Sequence, residues 1–212
     1  MLKKRAGWLS VLMVSEMFTT QALQHFDAEL QKVPVLILFI PLVMSSGGNS
    51  GSQATSLVTR AMALKEVQLA DWWRVAMREL PTGMILGTLL GTLGFFRIVL
   101  WQLMYNANWH LGPLSIGSWT SDQIVLGYNY AKPAIEGARA SPALLVATNV
   151  FCGLIGIVTF GSLAGSMLPF VLRRMGFDPA SSSAPFVATL VDVSGLIIYF
   201  TVAVLILGKY MH

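Results

Sequence analysis

Apolar residues in this chain come in long blocks separated by short polar or basic gaps. Five blocks, residues 7–23, 33–63, 81–104, 142–172 and 185–207, predict transmembrane helices, since about 20 apolar residues cross a ~30 Å hydrocarbon core. The second block is too long for that: at about 1.5 Å per residue it must tilt, break or project from the bilayer. It is interrupted by Gly47-Gly48-Asn49-Ser50-Gly51-Ser52-Gln53. A polar, glycine-rich backbone at membrane depth is tolerated only inside protein or beside water. The pattern therefore predicts an all-α membrane protein of five transmembrane helices, one long and broken at the Gly/Asn motif.

The gaps set the topology. Lys3, Lys4 and Arg5, then Arg60, Lys65, Arg74 and Arg78, then Arg173 and Arg174 fall on one side, whereas Asp27 and Glu29 offset Lys32 on the other. The positive-inside rule makes the richer side cytoplasmic, with the N-terminus in and the C-terminus out. MLKKRAGWLSVLMV resembles a signal peptide, but Glu16, the polar residues after it and the lack of an A-x-A site favour an uncleaved first helix. The stretch 105–141 holds Trp109, Trp119, Tyr128 and Tyr130 among frequent Gly and Pro. It reads as an extracytoplasmic loop against the membrane surface, with a vestibule cap as the alternative.

Composition narrows the classes. The 212 residues are 55% hydrophobic and 11% charged, as expected of a single domain embedded in a bilayer. The pI near 9.4 does not indicate nucleic acid, because the basic residues sit at the ends of apolar blocks instead of forming a face. Cys152 is the single cysteine, so no intrachain disulfide forms. No H-E-x-x-H, G-x-S-x-G, P-loop or G-x-G-x-x-G motif occurs, and the sequence does not read as an enzyme.

Small residues recur at helical spacing in the third block (Gly83, Gly87, Gly91) and the fourth (Gly161, Gly165). They predict close helix contacts, not part of an ion path.

The chemistry-bearing residues are few. Asp192 lies within the last block, where an acid costs about 2.5 to 3.5 kcal/mol on insertion scales; Ala188, Thr189, Gly195 and Tyr199 share its helical face. It is either an ion-pathway carboxylate or a packed acid bonded to Thr or Asn. Glu16, followed by Thr19, Thr20 and Gln21, is a second intramembrane acid. In the long block, Asn49, Ser52, Gln53, Ser56 and Arg60 recur at helical intervals, next to Gly48. Their oxygens suit a hard divalent cation, and Mg²⁺ keeps several waters because it dehydrates reluctantly. A hydrogen-bonded seam between helices is the alternative.

The two stretches PLVMSSGGNSGSQATSLVTRAMAL and GFDPASSSAPFVATLVDVSGLIIYF resemble the signature regions of MgtE-type magnesium channels and transporters. The likeness runs from Trp8 to about Leu207. It implies a homodimer of five-helix subunits with a pore at the dimer interface, and a hydrated Mg²⁺ as transported ion held by one acid from each chain. Matched motif by motif, that acid is Asp192, with the Ala188 carbonyl one turn earlier as a second metal contact. Ser52 and Ser56 would line the path from the second block, beside Asn49; the residues' own chemistry adds Gly48, Gln53, Thr189 and Glu16 to the expected ion pathway. Ser52 replaces the second Asn of the family's GGNxGNQ, and Ala184 stands where some members carry Asn. The family's cytosolic N-terminal and CBS domains lie outside the likeness, so the chain reads as a minimal member or as a membrane domain alone. A proton- or Na⁺-coupled exchanger, and a non-transporting anchor or regulatory subunit, remain the competing readings.

Overall fold

The computed structural model describes residues 2–106 and 142–208, and every regular element in them is helical. Most of the stretch expected to form the outer loop lies outside the described residues. The elements are α1 (Leu2–His25), α2 (Asp27–Lys32), a 3-10 helix (Pro34–Phe39), α3 (Ile40–Ala63), a short 3-10 turn (Leu69–Asp71), α4 (Trp72–Asn106), α5 (Pro142–Arg174) and α6 (Pro179–Leu207). Among the described residues, four helices are long and apolar enough to cross a membrane: Pro34–Ala63, Leu69–Leu100, Ala143–Arg174 and Pro185–Leu207. The first block, expected as a fifth span, forms helix α1 but is not among them. Ser10, Ser15, Glu16, Thr19, Thr20 and Gln21 dilute its apolar character.

The expected break at Gly47-Gly48-Asn49 is corrected: α3 is continuous from Ile40 to Ala63, and the irregular backbone lies earlier, at Pro34–Phe39. Pro41 lacks the N–H that would reach the Ile37 carbonyl, and the Ile40 N–H takes that acceptor instead. The buried Tyr199 hydroxyl then donates to the Leu36 carbonyl at 3.2 Å.

What the glycines supply is close approach. A Cβ on Gly161 would strike the Gly47 carbonyl, and one on Gly165 the Gly51 carbonyl. With 47 opposite 161 and 51 opposite 165, α3 and α5 run parallel. A Cβ on Gly83, Gly87 or Gly91 would fall 2.8 Å from Thr159 Cα, 2.7 Å from Ile155 Cα and 2.9 Å from the Phe151 carbonyl. Here the numbering opposes, so α4 is antiparallel to α5. Val191 and Val187 stand over Gly47 and Gly51, making α6 antiparallel to α3. α1 follows α6, since Phe26 stacks on Phe200 at 5.2 Å and Glu16 acts on Asp192. Thus the start of α1, the end of α3, the start of α4 and the end of α5, which carry the basic clusters, gather at one end of the bundle.

α5 is the central helix, packed by α3, α4 and α6. Val43, Val150, Leu154, Ile157, Val187, Val191 and Leu196 form the core among them. Outward-facing apolar residues such as Met13, Leu89, Ile85 and Leu205 are exposed, as expected of surface that lipid solvates.

Prolines 81, 169 and 185 lie inside helices, not at their starts; α4 begins well before the predicted Pro81, whereas the last membrane-length stretch runs Pro185–Leu207 as expected, with α6 extending ahead of it to Pro179. A membrane bundle tolerates this when neighbours satisfy the freed carbonyls. Pro169 leaves the Gly165 carbonyl without its intrahelical donor, and the buried Thr55 hydroxyl of α3 donates to it at 2.8 Å. Thr55→Val is expected to lower stability by about 1–3 kcal/mol, the cost of a buried unsatisfied acceptor. Thr55→Ser is expected to retain most of it; thermal unfolding of the two variants in detergent checks the difference.

Candidate functional site

α3 buries Gly47, Ser50, Gly51, Ala54, Thr55, Val58 and Met62. The Ser50 and Ser162 hydroxyls share a hydrogen bond of 2.6 Å, locking that face to α5. Helical geometry then sends the intervening polar residues away from the bundle. Asn49, Gln53 and Ser56 are exposed, and Gly48 and Ser52 half-buried. Asn49, Ser52, Gln53 and Ser56, with Leu57, line an open groove of about 620 Å³. Asn49 Nδ2 donates to Ser45 Oγ at 3.3 Å, and Ser56 Oγ donates to the Ser52 carbonyl at 2.8 Å. A Cβ on Gly48 would meet nothing within 4 Å. Lipid cannot satisfy such a strip of amides, hydroxyls and carbonyls; it calls for water, an ion's hydration shell or a second polar protein face.

Asp192 is half-buried on α6. The contact of Val191 with Gly47 puts it at the depth where the α3 motif begins, and Ala188, also half-buried, lies one turn away, near the level of Gly51. Glu16 is exposed on α1, close enough for its charge to act on Asp192. The two predicted acids thus stand on helices that pack against each other, α1 and α6, within electrostatic range. Arg74 pairs with Asp71 at 3.8 Å, and among the described residues no salt bridge joins a Lys or Arg to Asp192. Nor do the described residues gather three His, Cys, Asp or Glu side chains that could enclose a bare metal.

Other predicted residues are placed differently. Thr189 is buried, its hydroxyl donating to the Pro185 carbonyl of its own helix at 3.3 Å. Gly195 faces Met44, where a Cβ would lie 3.0 Å from its Cε. Tyr199 is core. Asp192 does not line the α3 groove within one chain; the groove and the acid pair are separate patches at similar depth.

Two polar residues escaped the sequence reading. Glu79 is half-buried within α4, an acid inside a membrane-length helix; a helix starting at Pro81 would put it in a loop. Fully buried Asn149 sits beside the Tyr199 hydroxyl without completing a hydrogen bond to it. An amide inside an apolar run was the available signal.

Four membrane-length apolar helices around close glycine contacts, with an oxygen-lined groove and acids at mid-helix, define an integral membrane protein. The chain belongs to the MgtE family, described as a divalent cation transporter, whose family model matches residues 40–202. It is 36% identical over 203 residues to the magnesium transporter MgtE of Thermus thermophilus, covering 96% of this chain. The corresponding proteins of Enterococcus faecalis and Bacillus subtilis are 28% and 25% identical, each over 94% of this chain. The chain spans 36% of the length of each of these relatives.

Proposed function

We propose that this chain is a single transmembrane domain that moves hydrated Mg²⁺ across a membrane. The observation carrying the proposal is the polar strip Asn49-Ser52-Gln53-Ser56, turned outward from an otherwise apolar bundle at a depth close to that of Asp192. Two chains related by a two-fold axis would turn these strips toward each other and enclose water between them. The Asp192 carboxylate from each chain then attracts the ion, the Ala188 carbonyl and the Ser52 and Ser56 oxygens bond to its waters, and Glu16 adds negative charge beside Asp192. Gly48, Asn49 and Gln53 widen and wet the passage; Thr189 supports the turn below Asp192. A divalent ion gains twice the Coulomb energy of a monovalent one at each carboxylate, which favours Mg²⁺ over Na⁺ and K⁺.

The likeness to proteins named magnesium transporters supports this reading, as does the gathering of the basic clusters at one end. By the positive-inside rule that end is cytoplasmic, in a bacterial plasma membrane. Purified protein in liposomes loaded with a Mg²⁺-sensitive dye is expected to pass Mg²⁺ down its gradient, at a rate unchanged by imposed pH or Na⁺ gradients. Flux that follows either gradient would indicate the coupled exchanger, and no flux at all the non-transporting subunit.

A further inference from the structure

A second groove lies at the basic end of the bundle, apart from the strip on α3. It measures about 620 Å³ and is walled by Leu69 and Trp72 from the turn leading into α4, and by Met167, Phe170, Val171 and Arg174 from the last turns of α5. Its volume falls within the ~300–1,000 Å³ typical of small-molecule sites. Leu69, Trp72 and Val171 are 42%, 50% and 50% exposed, so the groove opens sideways, where acyl chains would run. Its polar member is a cation: Arg174 ends α5 next to Arg173, and Lys65, Arg74 and Arg78 are exposed on the segments at the same end. Arg74 is held by Asp71 at 3.8 Å; Arg174 is not part of that pair. Trp72 and Trp73 meet edge to face at 5.6 Å, the residue type that settles at a headgroup boundary.

We propose that this groove binds an anionic phospholipid, its acyl chain along Leu69, Met167, Phe170 and Val171 and its phosphate on the Arg174 guanidinium. Charge complementarity selects the occupant: an apolar slot ending in a guanidinium, with further cations around it, fits a lipid carrying net negative charge better than a zwitterionic one. Phe170 and Met167 also pack against Val58 and Met62 of α3, so a lipid here braces the end of the helix that carries the polar strip.

The test titrates the purified full chain in detergent with dioleoyl phosphatidylglycerol, dioleoyl phosphatidylcholine or inorganic phosphate, reading thermal stability and lipid adducts by native mass spectrometry. Phosphatidylglycerol is expected to bind and stabilise; phosphatidylcholine and free phosphate are not. Arg174→Gln is expected to weaken phosphatidylglycerol binding about fivefold, equivalent to the ~1 kcal/mol of one basic side chain near an anionic surface at ~1.4 kcal/mol per tenfold. Val171→Trp, which fills the slot and keeps the charge, weakens it too, whereas Arg173→Gln changes it less than about twofold. Equal binding of the two lipids, equal losses for the Arg173 and Arg174 variants, or displacement of the lipid by free phosphate would each overturn the proposal.

Discussion

Asp192→Asn is expected to cut Mg²⁺ flux in proteoliposomes by about tenfold or more, with the protein still folded. The substitution keeps shape and removes charge. At about 4–6 Å and an effective dielectric constant near 20, one carboxylate attracts a divalent ion by a gross 5–8 kcal/mol or so. Ion and carboxylate desolvation takes back much of this, yet a residue of ~1.4 kcal/mol already makes tenfold. Asp192 is half-buried with no described Lys or Arg set against it, so no internal cation stands in for the ion. Asn at this position is also easier to place in a membrane than Asp, so lost flux would not come from a weakened fold. Wild-type flux from Asp192→Asn would remove this residue from the pathway.

The second large effect is structural. Gly165→Ala is expected to destabilise the bundle by about 3 kcal/mol or more, the upper range for overpacking. The added methyl would strike the Gly51 carbonyl and lie 2.8 Å from its Cα, and backbone cannot rotate away as a side-chain end can. α3 cannot yield without also losing the Thr55 bond to the Gly165 carbonyl and the Ser50–Ser162 pair. Gly48→Ala is the contrast. Its Cβ meets nothing within 4 Å, and Ala is favoured over Gly in a helix by about 1 kcal/mol, so stability is expected to hold or rise. Melting temperatures in detergent distinguish the two; equal effects would mean that the motif does not divide into a packing face and an open face.

That division was only half legible in sequence. Hydrophobic block length gave the four apolar spans, and small-residue spacing marked Gly83, Gly87, Gly91, Gly161 and Gly165 as contacts. The same signal in Gly47 and Gly51 was read as a break, because glycine beside Asn and Ser also marks irregular backbone. Which meaning applies depends on whether a partner helix offers glycines at matching height, and that is a property of α5, more than a hundred residues away. The start expected at Pro81 differs from the helix because proline is a weaker stop in a membrane bundle than in water, where a neighbour can supply the missing donor as Thr55 does for Pro169. The acids Asp192 and Glu16 stood out by cost alone; their proximity required the parallel docking of α1 on α6.

The central claim, that the outward strip of α3 borders water which a divalent ion shares, has a direct test. Single cysteines at Ser52, Ser56 and Ile85 in a Cys152→Ser background would be exposed in liposomes to a charged, membrane-impermeant thiol reagent, with and without Mg²⁺. Rapid modification at 52 and 56, slowed by millimolar Mg²⁺, with the lipid-facing position 85 inert, is the expected result. Cysteines at 52 and 56 as unreactive as at 85 would contradict the account.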